Sequence, residues 1–341
     1  MKRFLSLLAV AALTGTAFAA DVDYKKEKEI PLPGKGGFDY VACDSAAHRL
    51  YVAHGNKIDV VDLVSGAVVG SVEGVEGAHG TVIVPELKRG FATGGKKKKL
   101  IAFELETLKV TKEVDTGEGP DALIYVTTTK EVWTMNHRAG TITCVDAASL
   151  EVKATIDVGR DWPAPKGQAG GAALESAAEW VAKGRVFVNV ENRGAIVSVD
   201  AKEHKVLDRF SLDPAKEPTG LAIDQKTGIL FAGCGAGPED IGQIACMDAA
   251  TGKVVTMFPI GKGCDAAAFD PETGLIFASC SDGTTTVVKE GADGKLTVAG
   301  KIETAKGGRT CTLDPKTHKL YVCAGSKGKD DVRVVVFAPG K

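Results

Sequence analysis

The chain carries no charge excess with which to attract a polyanion. It has 42 Lys and Arg against 44 Asp and Glu, a formal net charge of −2 at pH 7. Global attraction to nucleic acid or to an anionic membrane is therefore excluded as a leading idea. Beyond its N-terminus it has no apolar run long enough to suggest a membrane span. It lacks Cys-x-x-Cys and His-x-x-x-His, so no local signature marks a metal site. It also lacks Gly-x-Ser-x-Gly and a phosphate-cradling glycine loop, which removes the usual sequence signs of a serine nucleophile and of a nucleotide site. Glycine is abundant instead, with 41 in 341 residues, as suits a protein of many turns.

The first residues read as an export signal. Lys2-Arg3 is a positive start, Phe4 to Leu13 a short apolar core, and Ala17-Phe-Ala19 a small-residue cleavage site. Cleavage after Ala19 is expected, which takes the net charge from −2 to −4 by removing Lys2 and Arg3. A bacterial periplasm, or secretion, is the expected setting.

From residue 20 to the C-terminus one pattern recurs. In Gly263-Cys-Asp-Ala-Ala-Ala-Phe-Asp-Pro-Glu-Thr-Gly-Leu-Ile-Phe-Ala-Ser-Cys280, two short apolar runs flank an Asp-Pro-Glu-Thr-Gly turn, and a Thr/Val-rich third run follows. Copies stand at Gly220–Cys234, Arg309–Cys323 and Asp39–Ala53, with weaker ones from Gly80, Asp121 and Glu175. The first-strand starts at 39, 80, 121, 175, 219, 265 and 309 are separated by 41, 41, 54, 44, 46 and 44 residues. A four-stranded unit repeating at roughly 40–50 residues is the signature of a β-propeller blade, so the expectation is an all-β, seven-bladed β-propeller filling residues 20–341 as one domain.

The two ends complement each other. Residues 20–34 form a strand with no hairpin partner, while the last unit stops after its third strand, Val332 to Phe337. The N-terminal strand is expected to complete the last blade and close the ring, which removes an open sheet edge. The fourth unit is the least regular. Residues 160–171 read as an insertion rich in Pro and Gly, and Ala172 to Trp180 as a degraded first strand.

The repeated Leu50-Tyr-Val52 and Leu320-Tyr-Val322 strands, with the Asp-x-x-Thr-Gly turn, resemble the YVTN-type β-propeller repeat family of exported bacterial seven-bladed propellers. Val190-Glu-Asn192 and Pro218–Asp224 are also similar to family segments. The resemblance implies a fold and export. It implies no particular reaction, because the fold alone does not carry one.

In a propeller blade the first strand starts, and the second ends, on the same face near the central channel. Asp39, Gly80, Asp121, Glu175, Thr219, Asp265 and Arg309 are the expected ring of first-strand starts, with Asn136 among the second-strand ends. Four carboxylates and one guanidinium facing a narrow mouth point to binding of a cation, a small ligand or a loop of a partner protein. The common alternative is polar side chains that bond neighbouring backbone or ordered water. His54 and His79 lie beside the ring, with Cys234, Cys264 and Cys280. Cys264 and Cys280 are the nearest disulfide pair in an exported chain. The competing reading of these five residues is a soft or borderline metal site, with zinc or copper ahead of calcium. Cys144 and Cys246 occupy matching third-strand positions and read as small buried side chains. The turn positions of His48, His204 and His318 explain them, and the four lysines Lys96 to Lys99 read as a solvated loop.

The leading functional reading is an exported, monomeric, non-enzymatic binding propeller. One rival is a metal-assisted hydrolase of lactonase type, as in some similar propellers. The other is a nucleic-acid or polyanion binder using Arg309 and Lys96 to Lys99, which the acidic mouth opposes.

Overall fold

The turns of the repeat show how local chemistry builds a blade. Asp44 Oδ1 accepts the amides of Ala46 and Ala47 at 3.0 and 2.9 Å. Asp224, Asp270 and Asp314 hold the same two-residue and three-residue downstream positions through their carboxylates. Such Asx turns reverse the chain without help from a distant element. Four residues after the first strand's last buried position, every unit needs a left-handed backbone. His48, Lys88, Lys130, Gly184, Gly228, Gly274 and His318 supply it, with φ between 51 and 74°. Gly is the cheap residue there, so the four side chains at this position mark turns held by other contacts. His318, for example, places Nδ1 2.7 Å from Asp270 of the neighbouring unit.

In the computed structural model, which describes residues 22–163, 171–326 and 329–340, these units form seven four-stranded antiparallel sheets. The protein is a seven-bladed β-propeller. Blade 1 runs from the first strand Phe38–Asp44 to the fourth strand Val68–Glu73. The first strands of blades 2 to 7 are Ala78–Val84, Pro120–Val126, Leu174–Trp180, Lys216–Ile223, Cys264–Asp270 and Thr310–Asp314. The segment ending at Trp180 is thus a strand, as expected. Residues 1–19, read above as an export signal, lie outside the described residues, as do residues 164–170 of the insertion.

Each second strand is buried on both faces because blades stack face to face. Tyr51, Phe91, Trp133, Phe187, Phe231, Phe277 and Tyr321 hold the same place in the seven second strands, and all are at most 3% exposed. One large ring per blade fills the wedge between sheets. Cys144 and Cys246 lie directly across from Trp133 and Phe231, the matching third-strand positions expected for small packing residues.

The ring closes as the chain ends suggest. Tyr24–Pro31 pairs antiparallel with Arg333–Pro339, from Tyr24 opposite Pro339 to Pro31 opposite Arg333, and becomes the outer strand of blade 7. Tyr24 Oη donates to the carbonyl of His318 at 2.8 Å. Ile30 and Leu32 pack in one buried cluster with Phe38, Val52 and Val334, so this strand ties blade 7 to blade 1. Among the described residues no helix is long and apolar enough to cross a membrane.

Candidate functional site at the channel mouth

One irregularity builds the site. In blade 1, Phe38 pairs with His54 and Val41 with Val52, so Asp39 and Tyr40 together stand opposite Ala53. The same extra residue occurs near the start of the first strand in blades 2 to 6. A β-bulge bends its strand and re-aims side chains. Here it brings Asp39, His79, Asp121, Glu175, Thr219 and Asp265 to equivalent positions next to the last regular pair. Blade 2 therefore offers His79 where the sequence reading placed Gly80. The same bulge stands in all six blades, so the difference lies in the spacing: blade 2 follows Asp39 by 79 − 39 = 40 residues, one fewer than the step read from the sequence. Blade 7 pairs regularly from Thr310 opposite Cys323, with Arg309 just outside its strand.

Bonds between blades fix this circle. Thr93 Oγ1 donates to the Asp121 carbonyl at 2.5 Å, Asn189 Nδ2 to that of Gly220 at 3.0 Å, and Thr310 Oγ1 to that of Asp39 at 2.8 Å. The backbone behind the ring is thus held by neighbours and does not depend on a ligand.

Charged side chains converge on one side of the mouth. His79 Nδ1 lies 2.6 Å from Asp39 Oδ2 and 3.7 Å from Asp121 Oδ1. His137 Nδ1 lies 2.9 Å from Glu175 Oε1, and its Nε2 3.9 Å from Glu191 Oε2. The 2.9 Å contact has no hydrogen-bonding geometry, so the buried Nδ1 atom is left without a hydrogen-bond partner. Tyr40 reaches across the channel from blade 1 and donates from Oη to Glu175 Oε2 at 2.8 Å in blade 4. On the other side Arg309 Nε bonds Asp265 Oδ2 at 2.5 Å, Nη2 bonds the Phe38 carbonyl at 3.2 Å, and the guanidinium lies over the Phe38 ring.

Electrostatics follow from burial and crowding. Burial first, then the charges of Glu175 and Asp39, push the Asp121 carboxyl well above its ordinary range, although His79 and His137 oppose this. Burial and Asp39 raise Asp265 to about 6 against the pull of Arg309. Glu175 holds the His137 imidazole up at about 9. Burial lowers the proton affinity of His79, but the hydrogen bond to Asp39 and the charge of Asp121 outweigh it, and the net shift is upward. Burial and Glu175 push the Tyr40 hydroxyl well up, which keeps it a neutral donor. Asp121 and Asp265 therefore hold their protons to higher pH than ordinary carboxyls, and His79 and His137 to higher pH than ordinary imidazoles.

The expected site residues divide into two groups. Asp39, His79, Asp121 and Arg309 line one cavity of about 720 Å³, Asp265 is tied to it through Arg309, and Glu175 contacts the lining residue His137. The others are committed elsewhere. His54 is fully buried, with Nδ1 2.8 Å from Asp59 inside blade 1. Asn136 is fully buried and donates to Thr141 and Thr143 within blade 3. Thr219 donates to the Cys264 carbonyl. Cys234, Cys264 and Cys280 are buried, and their thiols point at carbonyls of Ala232, Ala266 and Ala278. Cys264 and Cys280 are cross-strand partners, as the sequence suggested, but all eight cysteines are free thiols. The neighbouring Cys280 thiol and burial push Cys264 well up, and burial raises Cys234 to about 12. Neutral thiols buried in this way make poor soft-metal ligands. Sequence reasoning gave three participants no role. His137 reads from the sequence as a loop residue on the mouth face, after Asn136, but is not marked there as a ligand. Tyr40 was hidden as an ordinary strand aromatic, and Glu191 lies beyond the fourth unit's second strand.

Two groups of side chains have ligand atoms close enough to hold an ion: Asp39, His79 and Asp121, and Asp121, His137 and Glu175, with all ligand atoms in each group within 4.8 Å of one another. Asp121 belongs to both. A third such group, Glu131, Cys144 and His204, lies apart, and there Glu131 already bonds Trp133 and His204.

No family model matches the chain, and no curated protein matches it in sequence. The resemblance to YVTN-type repeats thus rests on the strand and turn motifs alone. Solved structures match over the whole fold. A chain of a mitotic checkpoint complex superposes with a TM-score of 0.72 at 14% identity, covering 100% of this chain and 99% of that one. A chain of hydrazine synthase from Kuenenia stuttgartiensis gives 0.70 at 11% identity, covering 94% of this chain and 98% of that one. At such identities the likeness is one of fold, and it assigns no activity.

Proposed function

We propose that this protein is a binding propeller whose channel mouth holds a divalent cation through Asp121, with His79 and Asp39 on one side and His137 and Glu175 on the other. The observation that carries this reading is the shared position of Asp121 in two ion-sized groups of mixed imidazole and carboxylate ligands. That donor set suits a borderline ion such as Zn²⁺ or Cu²⁺ better than Ca²⁺, which prefers oxygen alone. The off-angle contact of His137 Nδ1 with Glu175 supports it, since both atoms can turn to a common ion. A cation would also compete with the protons that Asp121 and Asp265 bind more tightly than ordinary carboxyls do. The test is elemental analysis of protein purified without chelator, followed by titration of Zn²⁺, Cu²⁺ and Ca²⁺ into stripped protein. One or two equivalents of a borderline metal are expected. A protein that takes up none of the three overturns the proposal.

We also read the protein as an exported relative of the YVTN-type propellers, on the strength of residues 1–19 and of the repeated Leu-Tyr-Val strands. N-terminal sequencing of the protein recovered from the periplasm of an expressing bacterium checks the export reading. A start at Ala20 supports it, and an intact Met1 sinks it.

A further inference from the structure

We propose, building on the cation reading, that the mouth takes its metal together with an anionic chelating small molecule whose carboxylate or phosphate groups meet Lys35, Lys96 and Arg138. Size is the first observation. The cavity encloses about 720 Å³, whereas one water occupies roughly 30 Å³ of liquid volume and small-molecule sites span roughly 300–1,000 Å³. A lone ion leaves most of this space unused.

Charge layout is the second observation. The floor is anionic and imidazole-bearing, while the rim of the same cavity carries Lys35, Lys96 and Arg138. In the lysine run, Lys97 pairs with Glu76 at 3.1 Å, Lys98 with Glu118 at 3.0 Å and Lys99 with Asp115 at 2.6 Å. Lys96 is the member that lines the cavity, and it has no carboxylate partner among the described residues; neither do Lys35 and Arg138. A bare cation would use the floor and leave the rim charges unused. A bare anion would use the rim and be repelled by the floor. A metal–anion complex satisfies both, with the metal below and the surplus negative charge above.

Coordination and shape agree. Each ion-sized group supplies three ligand atoms, which leaves coordination positions of the metal for oxygen donors of a second molecule. The cavity is also lined by Gly36, Gly37, Gly77, Gly95 and Gly119. The side chains of Lys96, His79 and Arg138 lie against Gly77, Gly95 and Gly119, while a Cβ placed on Gly37 would meet nothing within 4 Å. An anion can thus lie against open backbone at Gly37.

The test is calorimetric titration of citrate, and separately of pyrophosphate, into Zn²⁺-loaded protein freed of excess metal, and into the same protein stripped of metal. At least one of the two anions is expected to bind the loaded form about tenfold or more tightly than the stripped form, and the preferred anion shows whether carboxylate or phosphate is recognised. The double substitution Lys96→Ala with Arg138→Ala is expected to keep the Zn²⁺ stoichiometry and the melting temperature but to weaken anion binding about tenfold, the effect of losing charge-assisted contacts. Failure to load any of Zn²⁺, Cu²⁺ and Ca²⁺ is seen before any anion is added and overturns the cation reading beneath this one; a protein that takes Cu²⁺ in place of Zn²⁺ is titrated in its Cu²⁺-loaded form. If Zn²⁺ loads but both anions bind loaded and stripped protein alike, or strip the metal, or ignore the double substitution, the anion proposal alone is overturned.

Discussion

Replacing Asp121 by Asn separates the ligand reading of the mouth from a purely structural one. Asp121 is common to both ion-sized groups, so its loss should disable both. A metal present at 100 times its Kd stabilises the folded state by about 2.7 kcal/mol through mass action. Unfolding entropy of roughly 2.1 cal/mol/K per residue gives a chain of this length about 0.7 kcal/mol/K, so that stabilisation moves Tm by about 4 °C. The parent protein should show this rise with Zn²⁺ in a scanning calorimeter, and Asp121→Asn should show less than about 1 °C of it under the same conditions. The metal-free proteins differ in a second, independent way. Burial, Glu175 and Asp39 raise the Asp121 proton affinity in the folded state. A raised carboxyl keeps its proton in the folded form after the unfolded form has lost it, so its contribution to stability is lost as pH rises above the unfolded value. The Asn variant has no such loss. Its metal-free Tm should match the parent near pH 4 and exceed it increasingly toward neutrality. An Asn variant that is less stable than the parent at every pH, and that keeps the full metal-induced rise, would refute both the ligand role and the electrostatic account of the mouth.

Three other outcomes follow from the same structure. Deleting the N-terminal strand through residue 33 leaves the Arg333–Pro339 strand as an open edge, and the truncated protein should aggregate or melt much lower; a monomer by light scattering with unchanged Tm would contradict ring closure. Thiol titration of unreduced, denatured protein should find eight thiols, and native protein should react quickly at no more than Cys43, the one cysteine not fully buried; a denatured count of six would restore the Cys264–Cys280 bond. His137 gains a proton partner in Glu175 on folding, with a folded value of about 9, so its stabilising contribution is complete below about 6.5 and fades as pH rises through 9; His137→Gln should flatten the stability profile across that window, and an NMR titration that finds the imidazole neutral at pH 7 would remove the basis for it.

The fold was legible because its information is local and repeated. An Asp-x-x-Thr-Gly turn and a central aromatic can be read from a dozen residues, and seven copies correct each other's errors. Even the closing strand announced itself, because each end of the chain lacked what the other had. The site was legible only in part. Asp39, Asp121, Glu175, Asp265 and Arg309 follow from strand starts, but the bulge that aims the first four leaves no residue signature, and an even 41-residue step put blade 2 at Gly80 where the structure has His79. His54 and Asn136 had the right place in the pattern and the wrong direction. Both end second strands, where side chains turn into the blade and find Asp59 or Thr143. Tyr40 could not be foreseen because its partner, Glu175, is 135 residues away across the channel.

The asymmetry of the ring is what makes a ligand the best account of it. A purely structural circle would balance its charges between neighbours, and the far side does so: Asp265 has Arg309, and Thr219 has a carbonyl. On the near side three carboxylates, Asp39, Asp121 and Glu175, share two imidazoles, and no Lys or Arg lies in ion-pair contact with any of them among the described residues. Lys35, Lys96 and Arg138 line the same cavity, yet all three are exposed at its rim, where their charges are screened by water. Crowding of this kind destabilises the ionised apo state and is retained at functional sites far more often than in packing cores. The bulge makes it tolerable structurally. It lets one residue per blade vary while the aromatic of the second strand and the bonds from Thr93, Asn189 and Thr310 hold the frame. A cation seated on Asp121, as proposed, would supply the positive charge missing from that half of the ring.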